Sequence, residues 1–150
     1  YFRQSEQLPT ALLLVADGRL ALDDDVRRWF PELPVYERPI TVRHLLTHTS
    51  GLRDWGAVVA LEGWPRGSRA HTNAHVLQVA ARQRALNYPP GATYSYTNTG
   101  YNLLALLVER ISGQSLAAFT HDRIFVPLGM TRTSWRDDHR RIVRDRALAY

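Results

Sequence analysis

The chain has 150 residues, 45% of them hydrophobic and 22% charged, which fits one globular domain with a real core and argues against disorder. Its formal charge is +5 and its pI about 10.1, but the arginines interleave with acidic residues, as in Arg136-Asp137-Asp138-His139-Arg140-Arg141, so a nucleic-acid partner is not expected. There is no cysteine, hence no disulfide framework or thiolate chemistry, and no apolar run approaches the ~18 residues of a membrane span.

No secretory signal is recognisable, and Tyr1 in place of Met suggests that the true N-terminus lies upstream. Lysine is absent. All 19 of the strongly basic side chains are arginine.

Glycine and proline divide the chain into helix-sized pieces. Pro9 suits a first helical turn, Thr10–Ala16 follows with Leu12, Leu13 and Val15, and Gly18 ends it in a left-handed cap. Asp23–Phe30 reads as a short helical segment before Pro31, its acidic start favoured by the helix dipole. Thr41 is the expected N-cap of Val42–Thr47, and Ser50-Gly51 ends that piece. Residues 52–71 hold little periodicity and read as a long loop. Thr72 caps a helix over about Asn73–Arg84, with Val76, Val79 and Ala80 on one face. Tyr88–Thr97 is loop.

The strongest helix follows, about Gly100–Ile111, where Leu103, Leu104, Leu107, Val108 and Ile111 make a broad buried stripe. Gly113 stops it. Ser115 caps another helix to about Ile124, and Pro127-Leu128-Gly129-Met130 forms a tight corner. Strand signals are weak, so the chain reads as mostly α, with at most a short strand near its C-terminal end.

Four segments, in order, resemble the β-lactamase-related serine hydrolases, a family of class C β-lactamases, D-Ala-D-Ala carboxypeptidases and β-lactamase-like esterases. They are LVADGRLALDDDVRRWFPELP (Leu14–Pro34), ITVRHLLTHTSGL (Ile40–Leu52), PPGATYSYTNTGYNLLALLVERISGQS (Pro89–Ser115) and FVPLGMTRTSW (Phe125–Trp135). HLLTHTSGL and YSYTNTGY are the specific ones, and the DGRL turn alone is weak. The resemblance implies a fold class: a mostly α fragment, the helical region of the β-lactamase/transpeptidase-like α/β fold, with most sheet strands missing. It implies one partial domain over 1–150, with residues 1–8 atypical.

The chemistry implied is acyl transfer on β-lactams, D-Ala peptides or small esters through a serine acyl-enzyme. A serine hydroxyl needs a neighbouring base. The family supplies a lysine one helical turn later, in S-x-x-K, on the same helix face. A Tyr-x-Asn element forms the opposite wall, and Tyr96-Thr97-Asn98 matches it. By that resemblance Tyr96 is catalytic, shuttling the proton to the leaving group, and Asn98 binds substrate by donating to its amide. Two residues apart on extended chain, both side chains point the same way. On the residues alone, the preferred reading is that Tyr96 and Asn98 merely close a turn and cap the next helix.

The nucleophile motif is missing. Counting back from Gly18, the family's register puts Tyr1 at the serine and Gln4 at the lysine. A three-residue deletion would align Ser5 with the serine but leave Leu8 at the lysine. Arginine stays protonated and cannot replace lysine as a base. Pro9 interrupts the segment that should carry S-x-x-K. The family's carboxylate-binding Lys-Thr-Gly or His-x-Gly element would lie beyond Tyr150. Inactivity of the chain as it stands is therefore expected, with a non-catalytic, degenerate member or binding module as the alternative.

His44 and His48 have the spacing of a helical zinc pair, but Leu45 stands where a zinc protease has Glu, and no third ligand is evident. No metal or organic cofactor is expected. The expected partner is a small-molecule or peptidoglycan-type substrate, and a homo-oligomer could cover the apolar surface that the absent sheet would leave bare. The family suggests an extracytoplasmic location, which no residue here specifies.

Overall fold

The computed structural model describes residues 7–64 and 70–135, together with 140 and 142. Tyr1, Gln4 and Ser5, and the charged run at Asp137, Asp138 and His139, lie outside the described residues.

Helix α1 spans Gln7–Ala16, with Pro9 in its first turn, where a missing N–H loses no helical bond. It buries Ala11 and Leu14 completely. Gly18 closes it at φ +69°, with the Arg19 N–H on the Leu14 carbonyl and the Gly18 N–H on that of Val15, both at 3.0 Å. Those two bonds satisfy carbonyls that the helix end would leave bare.

The helix expected over 23–30 shrinks to a 3₁₀ turn, Val26–Arg28, capped by Asp25. The cause is competition for backbone groups. The Val26 N–H donates to the Ile40 carbonyl at 2.9 Å and the Asp24 carbonyl accepts from Val42 at 3.2 Å, so neither serves a helix. An isolated bridge joins Asp25 to Thr41 there, and no β-strand occurs among the described residues.

Helix α2, Val42–Leu46, begins at Thr41 as expected, through a reciprocal box. The His44 N–H donates to Thr41 Oγ1, and the Thr41 N–H donates to His44 Nδ1 at 3.1 Å. The 52–71 segment is not all loop. It contains α3, Trp55–Leu61, capped by Asp54. Only Gly56 and Val59 of α3 are buried, too few to print a stripe on the sequence.

Helix α4, Asn73–Ala81, starts at Thr72 as expected but ends three residues early, and buries Val76, Leu77 and Ala80 rather than Val79. Helix α5, Asn98–Ser112, is the longest and begins two residues before its expected start. It packs against α1, α2, α3, α4 and α6 (Leu116–Thr120), and its Leu103, Leu104 and Leu107 are wholly buried. Gly113, at φ +75°, ends it. Ser115 caps α6, which runs into a π-helical turn, His121–Phe125, and then the corner at Pro127–Met130. The fold is a helical layer centred on α5. No single helix among the described residues is long and apolar enough to cross a membrane.

Candidate active-site wall

The two most specific sequence segments are one contact unit. Residues 48–51, leaving α2, run beside residues 87–95, which lead to α5. The Ser95 N–H donates to the His48 carbonyl, Gly91 to Thr49 and Asn87 to Gly51, each at 2.9 Å. Two glycines permit the approach. Gly51 sits at φ +75°, and a Cβ there would collide with the carbonyl oxygen of Tyr88. Gly91 sits at φ +85°, and its Cβ would lie 3.3 Å from His44 Nε2.

His48 is the hub of this unit. It takes a left-handed backbone at φ +57°, uncommon for a residue with a side chain. Its ring centroid lies 5.0 Å from that of Tyr101 in a stacked geometry, 4.7 Å from Tyr96 and 5.9 Å from Tyr94. Its Nδ1 accepts the Thr97 N–H at 3.4 Å. Burial holds the His48 imidazole below its ordinary range. Burial, and then Tyr96 and Tyr94, push the Tyr101 phenol up, and its hydroxyl donates to the Leu46 carbonyl at 3.0 Å. The Nδ1 atoms of His44 and His48 thus each accept a backbone N–H. No group of three or more His, Asp or Glu able to hold a metal occurs among the described residues.

Thr97, not Asn98, is the N-cap of α5. Its backbone is extended, its side chain is buried, and it accepts the Thr99 N–H at 3.2 Å. An extended residue sends its two neighbours to the same side. Tyr96 and Asn98 therefore face each other, with the exposed Tyr96 hydroxyl 3.4 Å from Asn98 Oδ1. Asn98 is held from below by Asp54. Its side-chain Nδ2 donates to Asp54 Oδ2 at 2.7 Å and its backbone N–H to the same oxygen at 2.9 Å. The Thr99 hydroxyl locks the adjacent turn, donating to the Arg53 carbonyl at 2.6 Å and accepting from the Trp55 N–H at 2.9 Å. The result is a solvent-facing phenol beside an oriented amide, at the N-terminus of the central helix.

The beta-lactamase family model matches residues 10–150. The chain belongs to the beta-lactamase family. Within it, the chain is 39% identical over 124 residues to a penicillin-binding protein of Bacillus subtilis (strain 168), an alignment that covers 81% of this chain and 26% of that one. It is 32% identical over 137 residues to a D-aminopeptidase of Cereibacter sphaeroides (strain ATCC 17029 / ATH 2.4.9), covering 91% and 26%. Among solved structures it is similar to the octameric penicillin-binding protein homologue from Pyrococcus abyssi, with TM-score 0.73, 33% identity, and coverage of 86% and 30%. The chain spans about a quarter of the length of the relatives it matches. The helical fold corresponds to part of the β-lactamase/transpeptidase fold, as expected from the resemblance.

Tyr96 and Asn98, the two residues singled out in the sequence, are thus brought together. Sequence reasoning weighed His48 only as half of a zinc pair and missed Asp54 and Thr99. Asp54 had a readable signal, an N-capping residue directly before Trp-Gly-Ala-Val-Val-Ala-Leu. The packing role of His48 had none, because neither its backbone conformation nor its ring contacts follow from local spacing.

Proposed function

We propose that this chain supplies one wall of an acyl-transfer site. Tyr96 passes a proton between the nucleophile and the leaving group, and Asn98 donates to a carbonyl oxygen of a β-lactam, a D-Ala peptide or a small ester. The observation that carries this reading is the pairing of the Tyr96 hydroxyl with the Asn98 amide at 3.4 Å, on an exposed face, within the Tyr-x-Asn element that the family resemblance picks out. A phenol suits the role because one oxygen both donates and accepts. The amide suits its own because its NH₂ is fixed rather than free to flip.

We propose further that the 150 residues do not turn over substrate. No lysine is present anywhere, and arginine cannot act as the base that a serine nucleophile requires. That same absence favours a second reading, a degenerate member that binds a substrate-like molecule or a partner without processing it.

The test has two arms. The full chain is assayed with a chromogenic cephalosporin, a p-nitrophenyl ester and a D-amino acid anilide. No turnover above buffer is expected. Turnover lost in Tyr96→Phe or Asn98→Ala would overturn inactivity yet support the wall, and turnover indifferent to both would overturn the wall. The second arm needs no turnover: benzylpenicillin in excess should shift the NMR signals of Tyr96 and Asn98, and no shift at either residue contradicts the reading.

A further inference from the structure

The geometry points to Asp54 as the positioning residue that fixes which face of the Asn98 amide meets substrate. This inference rests on the reading of Asn98 as a substrate-facing donor. Among the described residues, four N–H groups converge on the Asp54 carboxylate. Oδ1 accepts from the backbone of Gly56 at 2.9 Å and of Ala57 at 3.3 Å, capping α3. Oδ2 accepts the backbone N–H and the side-chain Nδ2 of Asn98 at 2.9 and 2.7 Å. One side chain therefore ties the first turn of α3 to the first turn of α5.

The consequence for Asn98 is chemical. An ionised carboxylate only accepts, so the amide must turn its NH₂ toward Asp54 and cannot present its oxygen there. That choice places Oδ1 against the Tyr96 hydroxyl, which donates to it. A carboxylate on one end of an amide also polarises the bond made by its other end. Asp54 therefore orders the whole Asp54–Asn98–Tyr96 line while touching neither substrate nor the reacting atoms. Removing the carboxylate takes away the bond that holds the NH₂ on that side, and an amide turned over would present its oxygen to a substrate carbonyl.

The test separates this role from the capping of α3. Serine is as good an N-cap as aspartate but has one oxygen, too short to reach Asn98. In Asp54→Ser, α3 keeps its cap and Asn98 loses its acceptor. The readout is the Asn98 side-chain NH₂ pair in ¹⁵N-labelled full-length chain. In the native chain its solvent exchange should be slower than that of an exposed asparagine by about tenfold or more, as expected of a hydrogen bond to a charged group. In Asp54→Ser that protection should vanish while the amide signals of α3 residues persist, and the benzylpenicillin-induced shift at Asn98 should weaken. Unprotected Asn98 in the native chain overturns the inference without any variant, so a variant that fails to fold does not shield it. Protection that survives Asp54→Ser overturns it as well. A native chain with protected Asn98 but no penicillin-induced shift overturns the substrate reading instead, and shows Asp54 holding a residue with another purpose.

Discussion

Thr97, the N-cap of α5, donates its backbone N–H to Nδ1 of His48, 49 positions earlier in the chain. This bond requires a neutral imidazole, because a protonated Nδ1 would set one donor against another. The His44 Nδ1 holds the Thr41 N–H in the same way, and burial keeps both imidazoles below their ordinary range. The unfolded chain then binds protons before the folded one does. The stabilisation is fully present above the unfolded value of about 6.5, and is lost as pH falls through the lower folded values. Urea midpoints measured from about pH 7.5 down to about pH 5 should decline. His48→Asn, which tolerates left-handed backbone and can still accept the Thr97 N–H, should reduce the slope. A flat native profile would contradict the assignment.

The glycines rank by what surrounds them. Gly18 and Gly51 both have positive φ, at +69° and +75°, but nothing lies within 4 Å of a Cβ on Gly18, whereas one on Gly51 meets the Tyr88 backbone. Gly18→Ala should cost about 1 kcal/mol, the left-handed penalty alone. Gly51→Ala adds a backbone collision and should cost at least about 3 kcal/mol or prevent folding. Denaturant melts of the two variants check the order.

Core dependence should centre on α5. Leu104 is fully buried, and Leu104→Ala should destabilise by about 2–5 kcal/mol. Leu61, 91% exposed at the end of α3, should tolerate alanine within about 0.5 kcal/mol.

An open apolar hollow lies between α1 and the turn after α6, lined by Pro9, Leu12, Leu13, Ile124, Pro127 and Leu128. Leu12 and Leu128 are exposed around it. Surface of this kind favours self-association. Sedimentation of the isolated chain should show oligomers or aggregates, and Leu12→Glu with Leu128→Glu should shift it toward monomer. A native chain that stays monomeric at high concentration and melts sharply would contradict this.

What the sequence reveals depends on how local the cause is. The caps at Thr41, Thr72 and Ser115 and the stop at Gly113 were legible because each is decided by one residue and its helix. The stripe Leu103, Leu104, Leu107, Val108 was legible because α5 is buried along one broad face, although Ile111, expected in the same stripe, is only partly buried. The 3₁₀ turn at Val26–Arg28 was not, because its backbone partners at Ile40 and Val42 arrive from a different segment. Helix α3 was not, because it buries only Gly56 and Val59. Tyr96 and Asn98 stood out through a motif, but the residues that aim them did not. His48 and Asp54 act across 44 to 48 positions of chain, a distance that local periodicity does not span.

In the reading proposed above, this chain keeps one wall of an acyl-transfer site and lacks the activated nucleophile. Intact-mass analysis after incubation with a fluorophosphonate and, separately, with a penicillin tests it most directly. An unmodified mass is expected from protein shown to be folded by its melt. A stoichiometric adduct on a single serine, placed by peptide mapping, would contradict it by showing that a nucleophile is activated here without lysine.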